Sequence, residues 1–535
     1  MQIEIQTIMR TSKHIVIRLT AILMAACLLT GCNKHPKVPE NAQVQSTAPK
    51  IFPDYTDVTI PANIAPLNFK VLDRCQEVVA RVTDASGNQQ TYGDGIKVQI
   101  PSDEWSEMLS NSKGKSLTVE VFAKDNDTWK SFKKFAINVA AEDIDNYISY
   151  RLINPSYVAY EELRICQRNL TNFDENDIYN NMMITTERDG QCINCHAYQN
   201  YKTDNMQFHM RQAHGGTMIV YKGEPKKVNL KTPETISAGV YPAWHPTLPL
   251  IAYSTNSTGQ SFHTKSKAKI EVQDAASDLI LYDVEKNEVS IVENDSTEFE
   301  VFPWWAPDGK TLYYCSAHFE FNDSVTNTES KAEDVYGNAG APKDKKLAQH
   351  QTQIIERYKD IKYSIYRKTF DPKTKTFGEK EMVYDAAAEG KSATIPRISP
   401  DGRYLLFGLG EFGCFHIWHP DADLYVTDLT TMETRPLKEA NSDQAESYHV
   451  WSSNGRWIMF ATRRDDGNYS RLYISYFDKN GKAHKPFEVP QKDPDFYKYF
   501  LKSYNVPEFM VEPVSITPQE FFEKAMGEAQ DAKMR

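Results

Sequence analysis

The sequence predicts an all-β protein, with an N-terminal β-sandwich of immunoglobulin-like shape followed by a six-bladed β-propeller. Three observations carry that expectation. Six short apolar or alternating runs lie between 54 and 142, each of strand length and separated by turn signals. From about 147 to 490 a motif recurs at roughly 40–60 residues, the period of a four-stranded blade. Aromatic residues make up 12% of the chain, with 29 tyrosines, a bias that suits strands.

In chain order, residues 1–31 read as an export signal and not as fold. Arg10, Lys13 and Arg18 form a basic start, and 19–29 is an apolar core too short for a stable membrane span. The segment ends Leu29-Thr30-Gly31-Cys32, similar to the bacterial lipoprotein cleavage box. That resemblance implies Cys32 as the first mature residue, bearing the lipid, so the expected place is the cell envelope, anchored and facing the periplasm. The remainder of the 535 residues is too long for one core, so two domains are expected. Pro-, Lys- and Gln-rich residues 32–53 read as a flexible tether.

The β-sandwich is expected over 54–142, with strands at 57–60, 69–72, 78–82, 96–100, 117–121 and 135–139. Ala85-Ser86-Gly87-Asn88, Asp94-Gly95 and Asn126-Asp127 supply turns. The Cys…Trp…Cys hallmark of immunoglobulin domains is absent, so only the architecture is expected. Trp105 and Trp129 are expected in its core. The stretch holds no catalytic constellation and reads as a spacer or docking module.

The propeller is expected over 147–490. Its clearest repeats are Val240-Tyr241-Pro242-Ala243-Trp244, Val301-Phe302-Pro303-Trp304-Trp305-Ala306-Pro307-Asp308-Gly309, Ile395-Pro396-Arg397-Ile398-Ser399-Pro400-Asp401-Gly402 and Tyr448-His449-Val450-Trp451. Each precedes an apolar strand, and Pro-Asp-Gly serves turn geometry. Two further blades fit the template: 148–179, and the stretch in which Cys195-His196-Ala197-Tyr198 opens the second blade ahead of 206–209 and 216–221. The pattern resembles the repeats of TolB-like β-propellers over about 235–490, and that resemblance implies six blades. With Arg168-Asn169-Leu170-Thr171-Asn172-Phe173 and the cysteine motif, the whole resembles exported propeller lipoproteins of Bacteroidetes type carrying one Cys-x-x-Cys-His. This implies haem attachment and nothing further about activity. Residues 321–362 form a polar insertion with a helical run at 347–358. Residues 491–535 form a tail with a final helix from about Pro518, expected to pack under the propeller or close its ring.

Cys192-Ile193-Asn194-Cys195-His196 is the attachment signature of a c-type haem. Two thiols add to the vinyl groups and the adjacent imidazole binds the iron. A zinc site would want a second cysteine pair, which the chain lacks, and a redox dithiol normally opens a helix. The reading is therefore one covalent haem c, held by Cys192 and Cys195, with His196 the proximal iron ligand. Met206 and His209 are the candidate distal ligands. In a strand they face opposite ways, and His209 is favoured because Met206, Phe208 and Met210 read as a packed face. Arg211 is a candidate partner for a haem propionate. Cys75, Cys166, Cys315 and Cys414 show no disulfide framework and read as buried thiols.

The net charge of −11 argues against nucleic acid as a partner. A propeller peptidase would need an α/β domain with Gly-x-Ser-x-Gly, and that motif does not occur. What remains is a membrane-anchored periplasmic cytochrome, a one-electron carrier whose propeller face docks a redox partner protein. The alternatives are a non-catalytic interaction scaffold and a propeller-face enzyme. His245, His318, His416, His419 and His449 are either channel-facing or hydrogen-bonded structural residues.

Overall fold

A computed structural model describes residues 35–155, 162–183, 192–263, 268–322 and 345–535. The export signal, Cys32 and residues 323–344 of the insertion lie outside the described residues. No helix among the described residues is long and apolar enough to cross a membrane.

All six runs expected in the N-terminal module contain strands, including Glu77–Thr83, Ser116–Asp125 and Phe135–Val139. Their pairing departs from the immunoglobulin-like sandwich. The main sheet is mixed, with Thr59–Ile60 parallel to Phe135–Val139 and Gln43–Val44 parallel to Thr128–Ser131. Ile51–Phe52, Phe69–Val71 and Lys97–Val98 form a separate small sheet. The expected tether is thus partly woven into the module. A helix, α1 (Ser102–Ser112), packs on Ser116–Asp125. Its buried residues Trp105, Met108, Leu109 and Ser112 recur at helical spacing behind Pro101, and Asp103 and Glu104 favour its positive end. Trp129 is half-buried on a sheet strand, beneath the Lys124 ammonium, and not in the core.

From Tyr147 onward the chain builds antiparallel sheets of four main strands. The first holds Tyr147–Ile153, Arg164–Asn169 and Glu175–Asn180, and takes Ser503–Met510 from the far end of the chain as its inner strand. The second holds Ile193–Gln199, Lys202–Met210, Gly216–Tyr221 and Glu224–Asn229. The inner strands of the next four sheets are Val240–Trp244, Glu298–Trp305, Ser392–Ile398 and Glu446–Trp451. The third and fourth sheets are joined by a bridge between Ser277 and Phe299. Inner strands pack on one another in sequence, and Ser503–Met510 closes the order by packing on both Glu446–Trp451 and Ile193–Gln199.

Apolar clusters fill the spaces between sheets. Ile165 and Tyr179 of the first meet Met206, Phe208 and Met210 of the second. Ile219 and Val228 on the other face of the second meet Trp244 and Tyr253 of the third. The tail contributes at three places. Its strand closes the first sheet, and Gln530–Asp531 and Lys533–Met534 add edges to the second and third. Between them α3 (Pro518–Met526), after α2 (Lys345–Arg357) of the insertion, starts at a Thr517/Glu520 capping box and seats Phe521 against Phe208. The boundary expected at 490 therefore falls inside the repeat.

Candidate functional site: the central cavity

Each inner strand carries the same bulge. Pairing slips, and one non-glycine residue takes a left-handed φ: Cys195 58°, Tyr241 49°, Phe302 54°, Ile395 52°, Tyr448 49° and Val506 48°. Such a conformation costs a non-glycine residue about 1–3 kcal/mol and persists only where surroundings impose it. A bulge re-aims a side chain, and all six residues line one central cavity of about 40 Å³. The next residue is His196, Pro242, Pro303, Pro396, His449 or Pro507. Cys195-His196 thus occupies the place of an aliphatic or aromatic residue followed by proline in four strands and by histidine in the fifth.

The motif residues divide around this strand. Cys195 is buried at the cavity wall, where burial raises its thiol pKa and the Tyr241 backbone N–H partly offsets that. The His196 ring is buried, and neither nitrogen makes a hydrogen bond of normal length and angle. Burial, with the Arg151 charge, pushes its pKa down to about 3, opposed by the Ser149 backbone, so the imidazole is neutral. Cys192, just ahead of the strand, is half-buried against the cluster between the first and second sheets.

The candidate distal ligands lie on opposite faces of Lys202–Met210. Met206, Phe208 and Met210 pack together in that same cluster, as the alternation predicts. His209 lies on the opposite face, buried, with Nδ1 3.2 Å from Thr217 Oγ1 and a pKa lowered to about 3 by burial. Arg211 is exposed, its backbone N–H donating to Cys192 O at 3.0 Å. Gln207, beside His209, donates from its amide to Cys195 O.

Sequence reasoning missed the charged centre of the cavity. Arg397 and Glu508 approach to 3.8 Å, and the guanidinium stacks 3.9 Å from the Trp304 ring. Burial raises the Glu508 carboxyl to about 7, with Arg397 opposing. A signal existed. The residue after the Pro/His position is Ala197, Ala243, Trp304 or Val450 in four strands and a charged residue in only these two.

In the 411–422 loop Cys414, His416, Trp418 and His419 are buried. His419 Nε2 is 2.6 Å from Glu271 Oε2, and His416 Nε2 bonds the Gly413 carbonyl at 3.0 Å. His449 Nε2 bonds Ile395 O at 2.7 Å, His245 Nε2 bonds Gly309 O at 2.9 Å, and His318 pairs with Glu298 at the surface. Each of these histidines thus has a partner within the fold. Cys75, Cys166, Cys315 and Cys414 are free thiols, the last three buried.

The donor set of the motif fits a c-type haem in kind: two free thiols beside a neutral imidazole that makes no hydrogen bond of normal length and angle. Both sulfurs must reach one porphyrin edge, so attachment requires the chain at Cys192 to turn towards the cavity that Cys195 already faces.

No family model and no curated protein matches this chain. Among solved structures, prolyl oligopeptidase B from Galerina marginata is similar at 10% identity and TM-score 0.34, covering 64% of this chain and 44% of that one. A puromycin-hydrolyzing peptidase of Mycobacterium tuberculosis is similar at 12% identity and TM-score 0.33, over 84% and 57% of the two chains. The β-propeller domain of Cps50 (Swd1) from Myceliophteria thermophila is similar at 11% identity and TM-score 0.28, over 56% and 86%. The chain spans 44% and 57% of the two peptidases. These likenesses are too distant to assign an activity.

Proposed function

We propose that this chain is a periplasm-facing c-type cytochrome, lipid-anchored through Cys32 and built on a six-bladed TolB-like propeller, which passes single electrons to or from a partner docked on the propeller. The observation that carries the haem is His196, a buried, neutral imidazole that makes no hydrogen bond of normal length and angle, directly after two free thiols in attachment spacing. Cys192 and Cys195 hold the group and His196 binds its iron, which when bound supplies a one-electron couple. The six bladed sheets are supported by the cyclic packing of inner strands and by Ser503–Met510 completing the first sheet. Peroxidase staining after denaturing electrophoresis tests attachment: stain should persist in the parent made with active cytochrome c maturation machinery. Cys32→Ala should move the protein from the membrane to the soluble fraction, since no described helix can span. Unchanged fractionation counts against the anchor.

A second reading, an interaction propeller without haem, is favoured by one observation. Cys195-His196 fills the bulge place that Tyr241-Pro242 and Val506-Pro507 fill elsewhere, so the pair has a structural role whether or not haem is attached. A stain-negative parent would leave this reading standing.

A further inference from the structure

Beyond Arg397 and Glu508 the central cavity leads into a second space of about 170 Å³. It opens among the turns that follow the inner strands, the end away from Cys192, with Asn200, Thr247 and Pro307 exposed at its mouth. Its walls are aromatic: Tyr198, Tyr201, Trp244, Trp304, Trp305 and Phe509. Trp244 is only 7% exposed, yet its indole N–H has no hydrogen-bond partner. At the same place in their own sheets, Trp305 and Trp451 donate to the carbonyls of Ala243 (3.2 Å) and Arg397 (3.1 Å). A buried donor left open beside a cavity is the mark of a missing polar partner.

Arg397 and Glu508 are likewise open. At 3.8 Å they attract but do not hydrogen-bond, and Arg397 Nε has no partner. Once Glu508 is ionised, above about pH 7, the pair is a donor fork beside an acceptor carboxylate, neutral as a unit. A hydroxyl both accepts and donates, so two adjacent hydroxyls can bridge fork and carboxylate. The pair offers a charged ligand no net countercharge. Broad aromatic walls suit a ligand with a flat apolar face and polar edges.

The geometry points to a saccharide site: the end of a neutral glycan enters from the turn face, stacks its ring on the indoles, and sets adjacent hydroxyls between Arg397 and Glu508. Arg397 and Glu508 also line the cavity that Cys195 and His196 face. The test is a screen of full-length protein in detergent on an array of neutral oligosaccharides, followed by titration of tryptophan fluorescence. Saturable binding is expected. Glu508→Gln and Trp304→Phe should each weaken it at least about tenfold and retain a cooperative melt, while Trp129→Phe on the N-terminal module should have no effect. The absence of any bound glycan would overturn the site, as would binding indifferent to both cavity variants. Peptides titrated in parallel provide the remaining outcome: a peptide whose binding is lost in Trp304→Phe, with no glycan competing, replaces the saccharide by a peptide ligand.

Discussion

Cys195 and Tyr241 hold the same position on neighbouring inner strands, each in a left-handed bulge (φ 58° and 49°), and both line the central cavity. The second thiol of the haem signature is therefore also a member of a structural ring. Two pressures meet at one residue, since the fold needs a side chain aimed at the cavity and haem attachment needs a thiol there.

Ending the chain after Lys502 should abolish cooperative unfolding. The deletion removes the inner strand of the first sheet, with Tyr504, Phe509 and Met510 at 0–1% exposure. Each such side chain contributes about 1.5–3 kcal/mol, so their sum rivals the whole stability of a domain. Ending the chain after Met526 removes only two-residue edge strands and should leave a cooperative melt. Circular-dichroism melts and limited proteolysis of the two truncations check this, and a normal melt for the shorter chain contradicts the closure.

Glu508→Gln should change the pH dependence of stability. With its carboxyl raised from 4.5 to about 7, the folded chain holds a proton there that the unfolded chain releases between those values. Parent stability thus loses this contribution as pH rises from 4.5 to 7 and is level above. Relative to the parent, the variant should gain stability across that window, then hold a constant difference. Urea unfolding of both proteins at pH 4.5, at pH 7 and above checks it; a difference that does not vary with pH contradicts it.

His209→Ala should leave the visible spectrum of the haem-loaded protein unchanged. Alternation along Lys202–Met210 puts His209 on the face towards the third sheet, whereas Cys192 packs on the face towards the first. Conversion from a low-spin to a high-spin spectrum in this variant would show that His209 reaches the iron.

Much of this arrangement was legible in the sequence. Turn-bounded strands and the Pro-Asp-Gly repeat locate the sheets, and alternation separates Met206 from His209. The helix at 102–112 was legible too, in the spacing of Trp105, Met108 and Leu109, but short polar interruptions among strands mask a period of 3.6. The pairing of residues 43–52 was not legible, since two-residue strands carry no pattern. Nor was the meeting of Arg397 with Glu508, which depends on the chain end returning to the first sheet. Only comparison of equivalent repeat positions, where Ala243 and Val450 are apolar, marks those two charges.

Covalent haem at Cys192 and Cys195 is the central claim, and the intact mass of the mature protein tests it most directly. Made in cells with active cytochrome c maturation machinery, the parent should weigh one haem more than the lipidated chain, and Cys192→Ala with Cys195→Ala should weigh the lipidated chain alone. A parent with no added mass, beside a control cytochrome loaded in the same cells, would contradict the account.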